Sequence, residues 1–177
     1  NLIPAGRDEH ATRCAAGALP LVWHGARHLR GEAGADPLQT LIHASGYWAL
    51  ALLLATLAVT PARRASVWVA RTVAVRFGRR ISDWNFLIRE RRGLGLWSFF
   101  YAALHVSLHG VLEAGSLAEL LRDATERRFI LFGMAAFLLL VPLAGTSTQG
   151  WIRRLKRHWA RLHFLVYPAA ALALAHA

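Results

Sequence analysis

The chain has 177 residues, 55% of them hydrophobic, yet it carries 21 Lys and Arg against 10 Asp and Glu, for a net charge of +11. A balance that basic in a soluble domain points to nucleic acid. Here the cations are confined to particular connections and the aromatics sit inside apolar runs, which sets DNA and RNA aside. The single cysteine, Cys14, excludes an internal disulfide and every multi-cysteine zinc or iron–sulfur pattern.

Five apolar segments follow in chain order, each near the roughly 20 residues that span a bilayer. No cleavable signal is expected before Ala11, where the chain is short and polar. The first segment, residues 11–29, is interrupted by Pro20, His24 and Gly25. The second, 38–62, holds Tyr47-Trp48-Ala49-Leu50 and ends at Thr60-Pro61. The third, 93–112, carries His105, and the fourth, 129–145, centres on Phe137-Leu138-Leu139-Leu140. The fifth, 158–177, is still apolar at Ala177, so further residues beyond it are expected. Helices are expected throughout, because backbone polar groups in lipid must be satisfied within the segment. The expected fold is therefore all-α, a multi-span transmembrane helix bundle in one domain.

Arginine sets the expected orientation. The 63–92 connection holds Arg63, Arg64, Arg71, Arg76, Arg79, Arg80, Arg89, Arg91 and Arg92 against only Asp83 and Glu90. The connection before the fifth segment holds Arg153, Arg154, Lys156 and Arg157, whereas residues 113–128 mix both signs. By the positive-inside rule the two basic connections and the N-terminus are cytoplasmic. Residues 67–77 alternate Val67, Trp68, Val73 and Ala74 with Arg71 and Arg76, the pattern of a basic helix lying on the membrane.

Three histidines lie deep in apolar segments: His105, His163 and His176. An intramembrane ionisable group is costly and usually has a functional partner, and neutral imidazole is a haem-iron ligand. His176 stands thirteen residues beyond His163, a helical rise of roughly 20 Å. Segments three and five share a direction, so His105 and His176 match in depth and pair as candidate axial ligands of one haem. His163 lies near the inner face, at the depth of Arg91, which suits a propionate or an iron with a weak second position. On an ideal helix His163 and His176 point about 140° apart, and Pro168 between them is a candidate kink. His109, one turn past His105, is an alternative outer ligand. His24, His28, His43 and His158 sit at span ends, where a wet histidine costs little.

Several runs carry a family resemblance: Gly46-Tyr47-Trp48-Ala49-Leu50, Leu57-Ala58-Val59-Thr60-Pro61, Arg91-Arg92-Gly93-Leu94-Gly95, Phe99-Phe100-Tyr101-Ala102-Ala103-Leu104-His105, Pro142-Leu143-Ala144-Gly145-Thr146-Ser147-Thr148 and Trp159-Ala160-Arg161-Leu162-His163-Phe164-Leu165-Val166-Tyr167. Order and spacing resemble the MsrQ (YedZ) family, haem-binding membrane subunits of periplasmic methionine sulfoxide reductase systems, within the ferric-reductase-like transmembrane domains. The resemblance implies a six-helix bundle in the bacterial inner membrane, with one or two b-type haems on His105, His163 and His176 and with Arg91 replacing a second inner histidine. It further implies electrons from the quinone pool or a cytosolic flavin reductase, FMN as a further cofactor, and a periplasmic molybdenum-containing catalytic partner, MsrP. The segment 67–90 and the start before Asp36 depart from the family pattern. No G-x-G-x-x-G follows a strand, so direct NAD(P)H oxidation is not expected. The rival readings are a transmembrane ferric or quinone reductase serving a small acceptor, and a non-redox haem-binding transporter or scaffold.

Overall fold

The structure, a computed structural model, describes residues 17–27, 30, 36–72, 85–113 and 115–177, and every regular element among them is helical. Helix α1 covers residues 17–27. It is followed by α2 (Pro37–Thr72), α3 (Asn85–Leu108) running into a π-helical turn (His109–Glu113), α4 (Leu117–Glu126), α5 (Arg128–Gly145), α6 (Gln149–Leu155), α7 (Arg157–His163) and α8 (Val166–His176).

Three stretches are long and apolar enough to cross a membrane: Pro37–Val69, Glu90–Val111 and Arg128–Gly145. They correspond to the second, third and fourth segments expected above. The second does not stop at Pro61, which lies inside α2. Proline is tolerated in membrane helices, and the Ala62, Arg63, Arg64 and Ala65 that follow are strong helix formers. Part of the expected surface helix therefore continues α2 as far as Thr72. Its remainder from residue 73, together with Arg76, Arg79, Arg80, Trp84 and His28, falls outside the described residues. The fifth segment is divided into α7 and α8 by a turn at Phe164 and Leu165.

Local chemistry explains the ends. Asp36 accepts the Leu38 and Gln39 amides at 3.1 Å each, with Pro37 opening the helix, the preferred N-cap and first-position residues. Ser116 caps α4 by accepting the Glu119 amide at 3.2 Å, and this places Leu120 and Ala124 on its buried side. The Arg122–Glu126 pair on the other side, at 2.9 Å, is solvent-exposed and contributes little.

The core lies between α2, α5 and α8: Leu53, Leu140, Leu143, Val166, Ala169 and Ala170 are buried together, with Phe99 and Ala102 of α3 packed against them. Phe99 and Phe137 stack at 5.8 Å with planes 3° apart. Helices α2 and α3 are antiparallel: Ser98 donates to the Ala49 carbonyl at 2.8 Å and Arg91 to Thr60 at 3.2 Å. A Cβ placed on Gly95 would stand 3.8 Å from the Thr56 methyl, an ordinary contact distance. Tyr101, 2% exposed, ties α1 to this pair. Its hydroxyl donates to the Gly17 carbonyl at 2.9 Å and accepts the Leu21 amide at 3.2 Å. These two groups are i and i+4 partners, so the tyrosine is inserted into the helical ladder. Tyr101→Phe is expected to cost about 0.5–1.5 kcal/mol, because the ladder can reclose. A denaturation midpoint equal to wild type would show that α1 does not depend on this bridge.

Candidate functional site

Two levels of polar side chains lie within the bundle. At one level α3 supplies His105 and α8 supplies His176, with ring centroids 6.1 Å apart and planes inclined by 69°. Each ring nitrogen Nδ1 donates to a backbone carbonyl on a neighbouring helix: His105 to Ile42 at 2.9 Å, and His176 to Phe129 at 2.7 Å. A carbonyl only accepts, so both rings carry their proton on Nδ1 and present Nε2 as the basic nitrogen. The Phe129 ring stacks against His176 at 6.0 Å with an interplanar angle of 19°. His43 and His109 lie within electrostatic reach of His105.

Both rings line a cavity of about 740 Å³ between α2, α3, α5 and α8, inside the roughly 300–1,000 Å³ of small-molecule and cofactor sites. Its walls include Leu50, Leu53, Val106, Phe137 and Leu140, and Gln39, His43 and Arg127 also line it. Among the described residues no group of three His, Cys, Asp or Glu could cage a bare metal ion. A macrocycle that brings four nitrogens of its own needs only the two imidazoles. Two imidazoles lining one cavity, each with Nε2 as the basic nitrogen, are the donor set that such a group would need.

At the other level, His163 donates from Nδ1 to the Trp159 carbonyl one turn back in its own helix, at 3.1 Å. The Trp159 ring covers one face of the imidazole at 3.9 Å, with planes 27° apart, and is itself held by Nε1 donating to the Thr146 carbonyl at 3.0 Å. Arg91 is half-buried, bonded to Thr60, and within electrostatic reach of His163. Gly46 to Thr60 on α2, Arg91 to His105 on α3 and His163 to His176 on the last segment each separate the two levels by a helical rise of roughly 20 Å.

The turn between α7 and α8 changes the relative direction of His163 and His176. Phe164, Leu165 and Tyr167 donate three residues back, to Arg161, Leu162 and Phe164, at 3.2, 3.0 and 3.1 Å. Such 3₁₀ geometry advances about 120° per residue instead of about 100°, so a few residues reduce the ideal offset from about 140° to roughly 80°. Pro168 contributes by lacking the amide that would bond to Phe164.

Two glycines at the first level are not marked by the sequence as neighbours of the histidine pair. A Cβ placed on Gly46 would stand 3.0 Å from the His105 ring, and one on Gly133 would stand 2.8 Å from the His176 ring. Gly46 is legible only as part of a motif, and Gly133 carries no sequence signal at all. The Trp159 contact with His163 is likewise tertiary detail within a run that sequence reasoning reads only as a family motif.

Residues 45–174 match the family described as ferric reductase like transmembrane component. The chain is 44% identical over 160 residues to a Rhodospirillum rubrum protein named protein-methionine-sulfoxide reductase heme-binding subunit MsrQ, covering 89% of this chain and 69% of that one. Proteins of the same name from Xanthomonas campestris pv. campestris (strain B100) and Xanthomonas axonopodis pv. citri (strain 306) are 46% and 45% identical over 144 residues, covering 81% of this chain and 59% of each of theirs. The chain thus spans 59–69% of the length of these curated relatives. No solved structure matches.

Proposed function

The chain belongs to the MsrQ family of ferric-reductase-like transmembrane proteins, and from that premise we propose that it is a b-type membrane cytochrome. In this reading it passes electrons across the bacterial inner membrane to a periplasmic, molybdenum-dependent methionine sulfoxide reductase. That partner carries the catalytic site and restores the flexible apolar side chain that sulfoxidation makes polar. The observation that carries the reading is the His105–His176 pair, 6.1 Å apart and each presenting Nε2.

Bound haem supplies one-electron chemistry. The chain's own residues do the rest. His105 and His176 hold the outer haem, and the Ile42 and Phe129 carbonyls keep each ring in one tautomer, the partner role that raises ligand basicity. Leu50, Leu53, Phe137 and Leu140 make the inner wall of the cavity apolar, which would favour the less charged redox state. His163 is the inner ligand, shielded on one face by Trp159, and Arg91 is the inner cation. The donor is quinol or a cytosolic flavin reductase, with FMN as a further cofactor. The basic residues Arg63, Arg64, Arg153, Arg154, Lys156 and Arg157 face the cytoplasm together with the N-terminus.

A second reading, a reductase serving a small acceptor, is favoured by the exposed Gln39, His43 and Arg127 along the cavity, which leave it within reach of a diffusing molecule. Rapid mixing separates the two. Haem reduced by quinol in vesicles should sustain turnover only when the molybdoprotein and methionine sulfoxide are both present. Equal turnover with a ferric chelate without the partner would favour the second reading.

A further inference from the structure

We propose that Gly46 and Gly133 are positioning residues that open two helix carbonyls to the outer histidine pair; this rests on the reading of His105 and His176 as haem ligands. Gly46 lies four residues after Ile42, and Gly133 four residues after Phe129, whose carbonyls accept the two Nδ1 protons. In an α-helix the carbonyl at i meets the amide at i+4. The side chain at i+4 leans back toward the N-terminus and covers the surface above that carbonyl. Without a Cβ at this position, the second lone pair of the carbonyl is open to a group from another helix. The same device therefore occurs twice, on α2 for the ligand from α3 and on α5 for the ligand from α8. Among the described glycines only these two meet a histidine ring, whereas Gly93, Gly145 and Gly150 have nothing within 4 Å.

The two windows are not equivalent. The Ile42 carbonyl also accepts the Ser45 hydroxyl at 2.8 Å, so His105 shares its acceptor. Contact at Gly133 is tighter: its Cβ would meet Cε1 and Nδ1 of His176 at 2.8 Å and Cγ at 2.9 Å, against 3.0 Å for the nearest two atoms at Gly46. An alanine at either position must push the ring off its carbonyl, releasing the tautomer and the rotation of the imidazole about its bond to the metal. Gly133→Ala should have the larger effect. Loss of such a ligand-orienting bond typically weakens metal binding about 10–100-fold.

The test uses the full chain in detergent or nanodiscs, comparing Gly46→Ala and Gly133→Ala with Gly93→Ala and Gly145→Ala. Readouts are haem per chain, the outer-haem midpoint potential and the low-spin electron paramagnetic resonance spectrum, which reports imidazole orientation. The two window variants should retain outer haem about 10–100-fold more weakly and show a shifted potential and altered g-values, while the two controls match wild type. Should Gly46→Ala fail to accumulate, G46A/H105A decides. Recovery of the folded chain assigns the loss to the ring contact, and continued loss overturns the proposal. Wild-type spectra and potentials in Gly46→Ala and Gly133→Ala also overturn it, and leave the ligand assignment intact if His105→Ala still loses haem. Wild-type chain without haem removes the ligand assignment and this proposal together.

Discussion

Replacing His105 or His176 with alanine is expected to abolish the outer haem, the largest effect of any single substitution in the chain. The two rings lie 6.1 Å apart on helices of common direction, and each is fixed by one carbonyl. Truncating one would remove one of the two imidazoles that would hold the haem, and leaves its carbonyl partner, Ile42 or Phe129, without the imidazole donor. Both carbonyls keep their helical partners four residues on, so the fold should lose only about 0.5–1.5 kcal/mol from the missing hydrogen bond. Haem per chain should fall by the full outer complement in both variants, with the helical circular dichroism retained. Full haem content in either variant would show that the pair does not ligate, and would return His109, in the π-helical turn beyond His105, as the outer candidate.

The second large effect is expected at the inner level. Arg91→Ala should lower the inner midpoint potential and leave the outer one unchanged. A fixed cation favours the reduced, less positive centre; a unit charge at about 10 Å in an effective dielectric near 20 contributes roughly 1–2 kcal/mol, several tens of millivolts for one electron. Arg91→Lys keeps the charge and should recover most of that shift, though not the planar fork that bonds Thr60. A redox titration in vesicles resolves the two centres. An inner potential equal in wild type and Arg91→Ala would reduce Arg91 to a topological signal.

The helical class and the apolar cores of α2, α3 and α5 were legible from composition and length, because backbone satisfaction in lipid leaves few alternatives. The matching depth of His105 and His176 could be counted from the basic connections on either side. Less legible was the continuation of α2 through Pro61 to Thr72, where good helix formers on either side outweigh one missing hydrogen bond. Helix α4 was read as a mixed-charge connection, although Ser116 and Glu119 form the start signal of a capped helix, followed by buried Leu120 and Ala124. The glycine contacts had no local signature at all. Gly133 sits in an apolar run like any other small residue, and only the tertiary approach of His176 gives it a role. Likewise, the 3₁₀ turn at Phe164 and Leu165 arises where Pro168 withdraws an amide, and a periodicity count assumes an unbroken helix.

The most direct measurement is the absorption spectrum of the purified membrane protein, oxidised and dithionite-reduced, with a pyridine haemochrome assay for haem per chain. The account predicts reducible b-type bands with at least one haem per chain. Protein made with ample haem supply that shows no such bands would contradict it.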